Sequence, residues 1–256
     1  MSSSADGNEV RFDGLRADEL AALLNVPRVE LFATATSTLD IANAIGPTAP
    51  AGTLVIADEQ TAGRGQFGRT WTSERGAGIW LTLVERPEDP LALEVMSLRC
   101  GLYSAEALDA LAGAPIGVKW PNDLYLRGRK LAGILIETRW RGPSPEWVSI
   151  GFGLNVAQPP IDGAIGLAPD ATRRDALIRL VPALRRAALA TDLLSDDELA
   201  RWQARDVARG RVIETPSAGT VAGISPRGEL LVRSADGAET AHRSGTLTFA
   251  EPLACS

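Results

Sequence analysis

The apolar positions change their period along the chain, and those changes outline the fold. Between Leu15 and Leu24, leucines and alanines recur at a helical interval, and Asn25, Val26 and Pro27 end that helix. Ser37, with Asp40 three residues on, has the form of a capping box and predicts a helix through Ile45 that Gly46 and Pro47 stop. Residues 53–60 read as a buried strand that runs into a glycine-rich loop over 61–70, and residues 78–85 read as a second strand. Leu91, Val95, Leu98, Leu102, Ala105, Leu108 and Leu111 then repeat every three or four residues, which predicts one long amphipathic helix laid on the sheet.

The next region is strand-rich. Residues 116–120, 123–127, 130–138 and 147–156 alternate in the manner of an antiparallel sheet, with a turn at Gly128. A proline- and glycine-rich connector covers 159–169, and helices fit 172–190 and 195–204, the second opened by a capping box of Ser195 and Glu198. From Arg211 onward, short β-prone runs alternate with turn signals at 217–219, 226–228 and 236–237. The expected fold class is therefore α+β, a mixed, largely antiparallel sheet packed with helices, followed by a small β-barrel module. The expected divisions are a leader and short helix over 1–28, a main domain over 29–207 and a small C-terminal domain over 208–256.

Composition narrows the chemistry. The chain has 256 residues, 45% hydrophobic and 23% charged, which is ample apolar material for a core. No apolar run approaches the roughly 18 residues a membrane span needs, and residues 1–10 lack the pattern of a secretory signal, so a cytoplasmic address without membrane attachment is expected. The two cysteines, Cys100 and Cys255, are isolated; the first reads as a small buried hydrophobe and the second as tail. The single histidine, His242, lies in the C-terminal module, away from the glycine- and lysine-bearing motifs, so a mechanism built on a histidine base is not expected. A net charge of −6 opposes unspecific binding to nucleic acid.

Four motifs carry candidate chemistry. In Gly63-Arg64-Gly65-Gln66-Phe67-Gly68-Arg69, glycines would let backbone amides face a ligand, and the arginines match carboxylate or phosphate oxygens. The loop has neither the Gly-Lys-Ser/Thr ending of a P-loop nor the G-x-G-x-x-G of a dinucleotide fold. In Lys119-Trp120-Pro121-Asn122-Asp123, a lysine at a strand end offers a point charge, while Asn122 and Asp123 suit a turn or a metal and nucleotide. The small residues of the strand Lys130 to Glu137 would permit close ligand approach, and the glycines of Gly151-Phe152-Gly153-Leu154-Asn155 suit either ligand approach or a bulge.

Together, and in this order, the four motifs resemble the biotin protein ligase family over about residues 29–250. The resemblance implies a class II synthetase-like catalytic domain with a C-terminal SH3-like barrel. It implies an enzyme that joins biotin to ATP as biotinyl-5′-AMP, releases pyrophosphate and passes biotin to a lysine of a biotin carboxyl carrier protein of acetyl-CoA carboxylase or a related carboxylase. ATP and biotin would be substrates, magnesium would assist at a site the residues do not define, and no tightly bound cofactor is implied. By motif match, Ser37, Thr38, Gln60, Gly63, Arg64, Gly65, Gln66 and Lys119 would bind biotin. Arg69, Trp71, Asn122, Lys130 and Asn155 would line the nucleotide side, and Lys119, Arg64 and Asp123 would be catalytic, Lys119 bridging biotin's carboxylate and the α-phosphate.

Two positions depart from the family pattern: Leu39 stands where asparagine is common, with Ser37 still expected to cap its helix, and Gln66 stands where arginine is usual. The loss of that charge implies looser retention of the adenylate, and it leaves a noncatalytic biotin or biotinyl-adenylate sensor as the alternative. The leader before residue 29 is too short for a helix-turn-helix domain, so no DNA partner is expected, while monomer and homodimer both stay open.

Overall fold

Leu20 and Leu24 bury one edge of helix α1 (Ala17–Leu24), and Asn25, in the left-handed conformation at its end, turns the chain into strand β1 (Arg28–Phe32). The structure is a computed structural model that describes residues 9–253; Cys255 and the first eight positions of the leader lie outside the described residues. Helix α2 (Thr38–Ile45) carries the chain across to strand β2 (Thr53–Ala57), which lies parallel to β1. Ser37 stands at the N-cap of α2, but its side chain accepts no capping hydrogen bond. The expected capping box does not form: the Asp40 carboxylate, which would reach back to Ser37 N–H, is engaged by Arg64, and Gln60 Oε1 accepts from the Thr38 N–H at 2.8 Å.

Strand β2 is buried along its whole length because its two faces serve two apolar clusters. Leu54 and Ile56 enter the main core, whereas Val55 joins Ala42 of α2 and Trp147 in a smaller cluster on the other face. Strand β3 (Gly78–Glu85) pairs antiparallel with β2. Helix α3 (Pro90–Leu108) follows, and it departs from the expected amphipathic stripe. Arg99, Cys100, Gly101, Ser104 and Ala105 are all buried with the leucines, so the helix is enclosed rather than half exposed. Arg99 is admitted because Glu198 pairs with it at 2.7 Å and the carbonyl of Leu193 accepts from it at 2.9 Å. Cys100 is fully buried as expected, and burial pushes its thiol up to about 12.

Strands β4 (Gly117–Lys119), β5 (Asp123–Leu126), β6 (Arg129–Arg141) and β7 (Ser144–Asn155) form antiparallel hairpins and give a seven-stranded sheet of order β1-β2-β3-β7-β6-β5-β4. One irregularity decides which side chains share a face. Asp123 pairs with Gly133 and Leu124 with Ala132, but Tyr125 pairs with Lys130, so Leu131 is an extra residue on β6. The bulge reverses the alternation of side chains and returns Lys130 to the face that carries Gly133 and Asp123.

Helices α4 (Arg173–Ala188) and α5 (Asp196–Arg205) close the main core against α3, and the Ser195–Glu198 capping box forms as expected. The C-terminal strands β8 (Val212–Thr215), β9 (Gly219–Ile224), β10 (Leu230–Arg233), β11 (Glu239–His242) and β12 (Thr248–Phe249) make a five-stranded antiparallel sheet of order β11-β10-β9-β8-β12. Its apolar residues, Ile213, Val221, Leu230 and Val232 among them, belong to the same continuous core as the main sheet. Trp120 donates its indole N–H to the carbonyl of Gly228 at 3.0 Å and joins the two parts. His242 lies on β11, where its Nε2 meets the Ser217 hydroxyl at 2.8 Å.

Candidate active site

A cavity of about 130 Å³ opens between the N-terminus of α2, the glycine loop and the face of β6 and β7 set by the bulge. Of the expected residues, it brings together Ser37, Thr38, Gln60, Arg64, Gly65, Gln66, Arg69, Trp71, Asn122, Asp123 and Lys130. Lys119, Gly63 and Asn155 are not among its walls. Asn155 is 7% exposed and donates to the carbonyl of Ile165 at 3.2 Å, beside a separate small crevice, so it holds the connector instead of lining this cavity.

The polar end of the cavity is organised around Gln60. Its Oε1 accepts from the N–H and hydroxyl of Thr38 at 2.8 and 3.2 Å, and its Nε2 donates to Ser73 at 2.8 Å. Thr82 donates to the Thr38 hydroxyl at 2.9 Å. Thr82 and Ser73 belong to none of the four motifs, although a threonine inside the apolar run of β3 signals a buried polar contact. Leu39, Phe152 and Leu135 add apolar wall.

The glycine loop is partly closed on itself. Two of its amides are used internally: Gly65 N–H donates to Arg69 O at 2.7 Å, Trp71 N–H to Gly63 O at 2.9 Å. Gly63 is required by that closure, since a Cβ there would lie 2.3 Å from Trp71 O. Arg64 does not point its charge at a free anion. It bridges Asp40 and Glu137, each at 2.6 Å, and these carboxylates hold the guanidinium's pKa above its ordinary value although burial opposes them. Phe67, at the loop tip, is 67% exposed with φ +56.

Gly133, Gly151 and Gly153 of β6 and β7 line the cavity and serve a further purpose. The register between the two strands runs unbroken through Gly133, Gly151 and Gly153, so no bulge lies there. Gly153 instead makes room for Trp71, whose indole atoms would stand 2.5 Å from an added Cβ; at Gly133 the gap would be 3.1 Å. Trp71 thus lies against the sheet, meets Trp80 edge-on at 6.4 Å between centroids, and carries the Lys130 ammonium 5.3 Å above its ring. Lys130 is held by Asp123 at 2.7 Å. Asn122 fixes the adjoining edge by donating to Ile134 O at 2.6 Å.

Lys119 stands beside this group on the same face of the sheet, opposite Asp123 across β4 and β5. Its ammonium lies 5.5 Å from the centroids of both Tyr125 and Phe249, the latter on β12. Burial lowers its pKa below the ordinary 10.5; Asp123 opposes that, and the positive Lys130 and Arg69 add to it. Arg69 reaches the same strand region, donating to Thr246 at 3.1 Å. Arg69, Lys119 and Lys130 therefore form a basic array answered by one carboxylate, Asp123, which suits a polyanionic ligand. Among the described residues no cluster of three or more metal-binding side chains occurs. A magnesium ion would accordingly meet Asp123 alone on the cavity wall and take its other ligands from phosphates and water.

Residues 32–155 match the model of the Biotin/lipoate A/B protein ligase family. The chain is 38% identical over 156 residues to the bifunctional ligase/repressor BirA of Bacillus subtilis, covering 60% of this chain and 46% of that protein. It is 37% identical over 164 residues to the biotin–[acetyl-CoA-carboxylase] ligase of Mycobacterium tuberculosis, covering 62% of this chain and 55% of that protein. The chain thus spans about half the length of the curated relatives it matches. The biotin protein ligase of Aquifex aeolicus, solved with biotin and ATP, superposes with a TM-score of 0.71 at 24% identity over 87% of this chain and 98% of that one, which shows a common fold. The Leishmania major biotin protein ligase, solved with biotinyl-5-AMP, gives 0.59 at 26% identity over 84% of this chain and 98% of that one. The motif-bearing sheet, the cavity on its face and these matches agree, and residues 32–155 of the chain are similar to the biotin/lipoate A/B protein ligase family.

Proposed function

We propose that this protein is an ATP-dependent biotin ligase that makes biotinyl-5′-AMP and transfers biotin to a lysine of a biotin carboxyl carrier protein. The observation that carries the reading is a single cavity that joins the Ser37–Thr38–Gln60 cluster to the Arg69, Trp71 and Lys130 group. The first supplies hydrogen bonds with apolar walls for a neutral bicyclic ring; the second supplies cations and an aromatic face for a nucleotide.

In the first step a biotin carboxylate oxygen bonds to the α-phosphorus of ATP as the bond to pyrophosphate breaks. In the second, the carrier amine attacks the acyl carbon, AMP leaves, and the amine gives up a proton. Both nucleophiles belong to substrates, so the protein's part is orientation and charge stabilisation, in keeping with a site without histidine or thiol. Lys130 and Arg69 neutralise phosphate oxygens. Lys119 reaches the developing charge by turning its flexible side chain away from the Tyr125 and Phe249 rings. Asp123 holds Lys130 and meets the incoming amine. Asp123 is the wall carboxylate that would meet a magnesium ion bound with the nucleotide, and such an ion would screen phosphate charge. Arg64, released from Asp40 and Glu137, covers the acyl end of biotin.

The carrier of acetyl-CoA carboxylase or a related carboxylase is the proposed partner, and the cytoplasm the proposed address. No helix among the described residues is long and apolar enough to cross a membrane. The test is to incubate the protein with biotin, ATP, magnesium and an authentic carrier domain and to weigh the carrier. A gain of one biotinyl group dependent on ATP is expected; an unchanged carrier mass overturns the reading.

A further inference from the structure

Behind the sheet, on the face opposite the biotin and nucleotide cavity, a larger cavity of about 690 Å³ lies between the β5–β6 turn, the connector after β7 and the start of α4. Its size is that of a small-molecule site. The bulge that turns Lys130 to the front leaves its neighbour Arg129 on the rear face with buried Leu126. Leu126, Val156, Ile165 and Leu167 give this rear cavity an apolar floor, each no more than 8% exposed.

Its rim is basic. Arg127 and Arg129 both line it, and neither makes an ion pair among the described residues. A third guanidinium, Arg173, stands on the opposite wall, held by Asp13 and Asp58 and stacked 4.1 Å over Phe12. Asp13 is the one carboxylate on the walls among the described residues, and Arg173 already occupies it. Arg127 sits at φ +50 and is followed by Gly128 at φ +73, the backbone of a tight hairpin turn whose first position favours asparagine, aspartate or glycine. A long cationic side chain in that place conflicts with local preference, and such conflicts mark function more than folding.

We propose that this rear cavity binds a small organic anion, with one carboxylate or phosphate head clasped by Arg127 and Arg129 and an apolar body on the Leu126–Val156–Leu167 floor. The fork geometry of guanidinium donors fits both oxyanion heads, and the apolar floor excludes free inorganic ions as the full complement. The site is separate from the front cavity and does not depend on the ligase reading.

The probe is anilinonaphthalene sulfonate, an aromatic anion whose fluorescence rises on burial, titrated into the full chain. Saturable binding of one equivalent is expected, displaced by phenyl phosphate if the head is a phosphate and by octanoate if it is a carboxylate. R127A/R129A is expected to weaken it by about tenfold or more, since two charge-assisted hydrogen bonds are lost. Ala157→Trp, which narrows the mouth from the exposed connector and keeps both arginines, is expected to weaken it too and decides the matter should the double variant not fold. Absence of binding, failure of both competitors, or an affinity unchanged in the folded variants overturns the proposal.

Discussion

Gly153→Ala tests how the site is built. The new Cβ would stand 2.5 Å from two indole atoms of Trp71, about 1 Å inside the optimal carbon contact of roughly 3.5 Å. Residue 153 lies within β7, paired on one side with Trp80 and on the other with Gly133, so the strand cannot retreat and the indole must. Overpacking of this kind costs about 1–3 kcal/mol. For a chain of this size that lowers Tm by roughly 2–12 °C. Displacing Trp71 also removes the surface on which Lys130 rests, so ATP affinity should fall together with stability. Thermal melts and ATP titrations of G153A, Trp71→Ala and the double variant form a cycle. Because truncation removes the ring atoms that meet the new Cβ, the double variant should be no less stable than Trp71→Ala alone, a coupling of about 1–3 kcal/mol. Simple additivity of the two costs would refute the steric account.

Gln66→Arg, on the cavity wall, should slow release of biotinyl-adenylate by about five- to tenfold, the difference between a charged and a neutral hydrogen bond, read by rapid dilution; equal release rates would count against a role for Gln66. In the proposed reaction Lys119 works as a cation, and its pKa is depressed by burial, so the adenylation rate should fall with rising pH at a value below the ordinary 10.5, and Lys119→Arg should abolish that alkaline limb in pyrophosphate-release profiles. Arg99→Ala should destabilise the fold by about 3–5 kcal/mol in urea melts, because it strands Glu198 in the core. In the intact protein burial disfavours the Glu198 carboxylate, but bonds from Arg99, Ser195 N–H and Tyr103 prevail and set its pKa to about 2, against an ordinary 4.5. Its contribution, about 3 kcal/mol, is therefore complete above pH 4.5 and lost as pH falls toward 2, which acid denaturation of the native protein and Glu198→Gln would show.

The strands and helices were legible because each has a period of its own, and residues 78–85 and the Ser195–Glu198 box stand where the pattern puts them. What escaped depends on contacts between distant segments. Asp40 is spaced to cap α2, yet Arg64 claims it from a loop more than twenty residues away. Glycines in β6 and β7 signal close approach and line the cavity, but nothing in their spacing names Trp71 as the side chain that packs on them. The bulge at Leu131 leaves no mark on composition, and without it alternation would place Lys130 on the wrong face. Asn155 and Lys119 fit their motifs in order, whereas their side chains point to the connector carbonyl and to two aromatic rings.

The contacts of Arg69 with Thr246 and of Lys119 with Phe249 also set a schedule. Synthesis runs from the N-terminus, so the sheet and its front cavity can assemble while the last strand is still being made. The contacts that hold two members of the basic array are complete only when residues 246–249 arrive, Thr246 standing 177 positions after Arg69. A nascent or clipped chain lacking β12 would keep the Ser37–Thr38–Gln60 end of the cavity, and it would lack the strand region against which Arg69 and Lys119 rest.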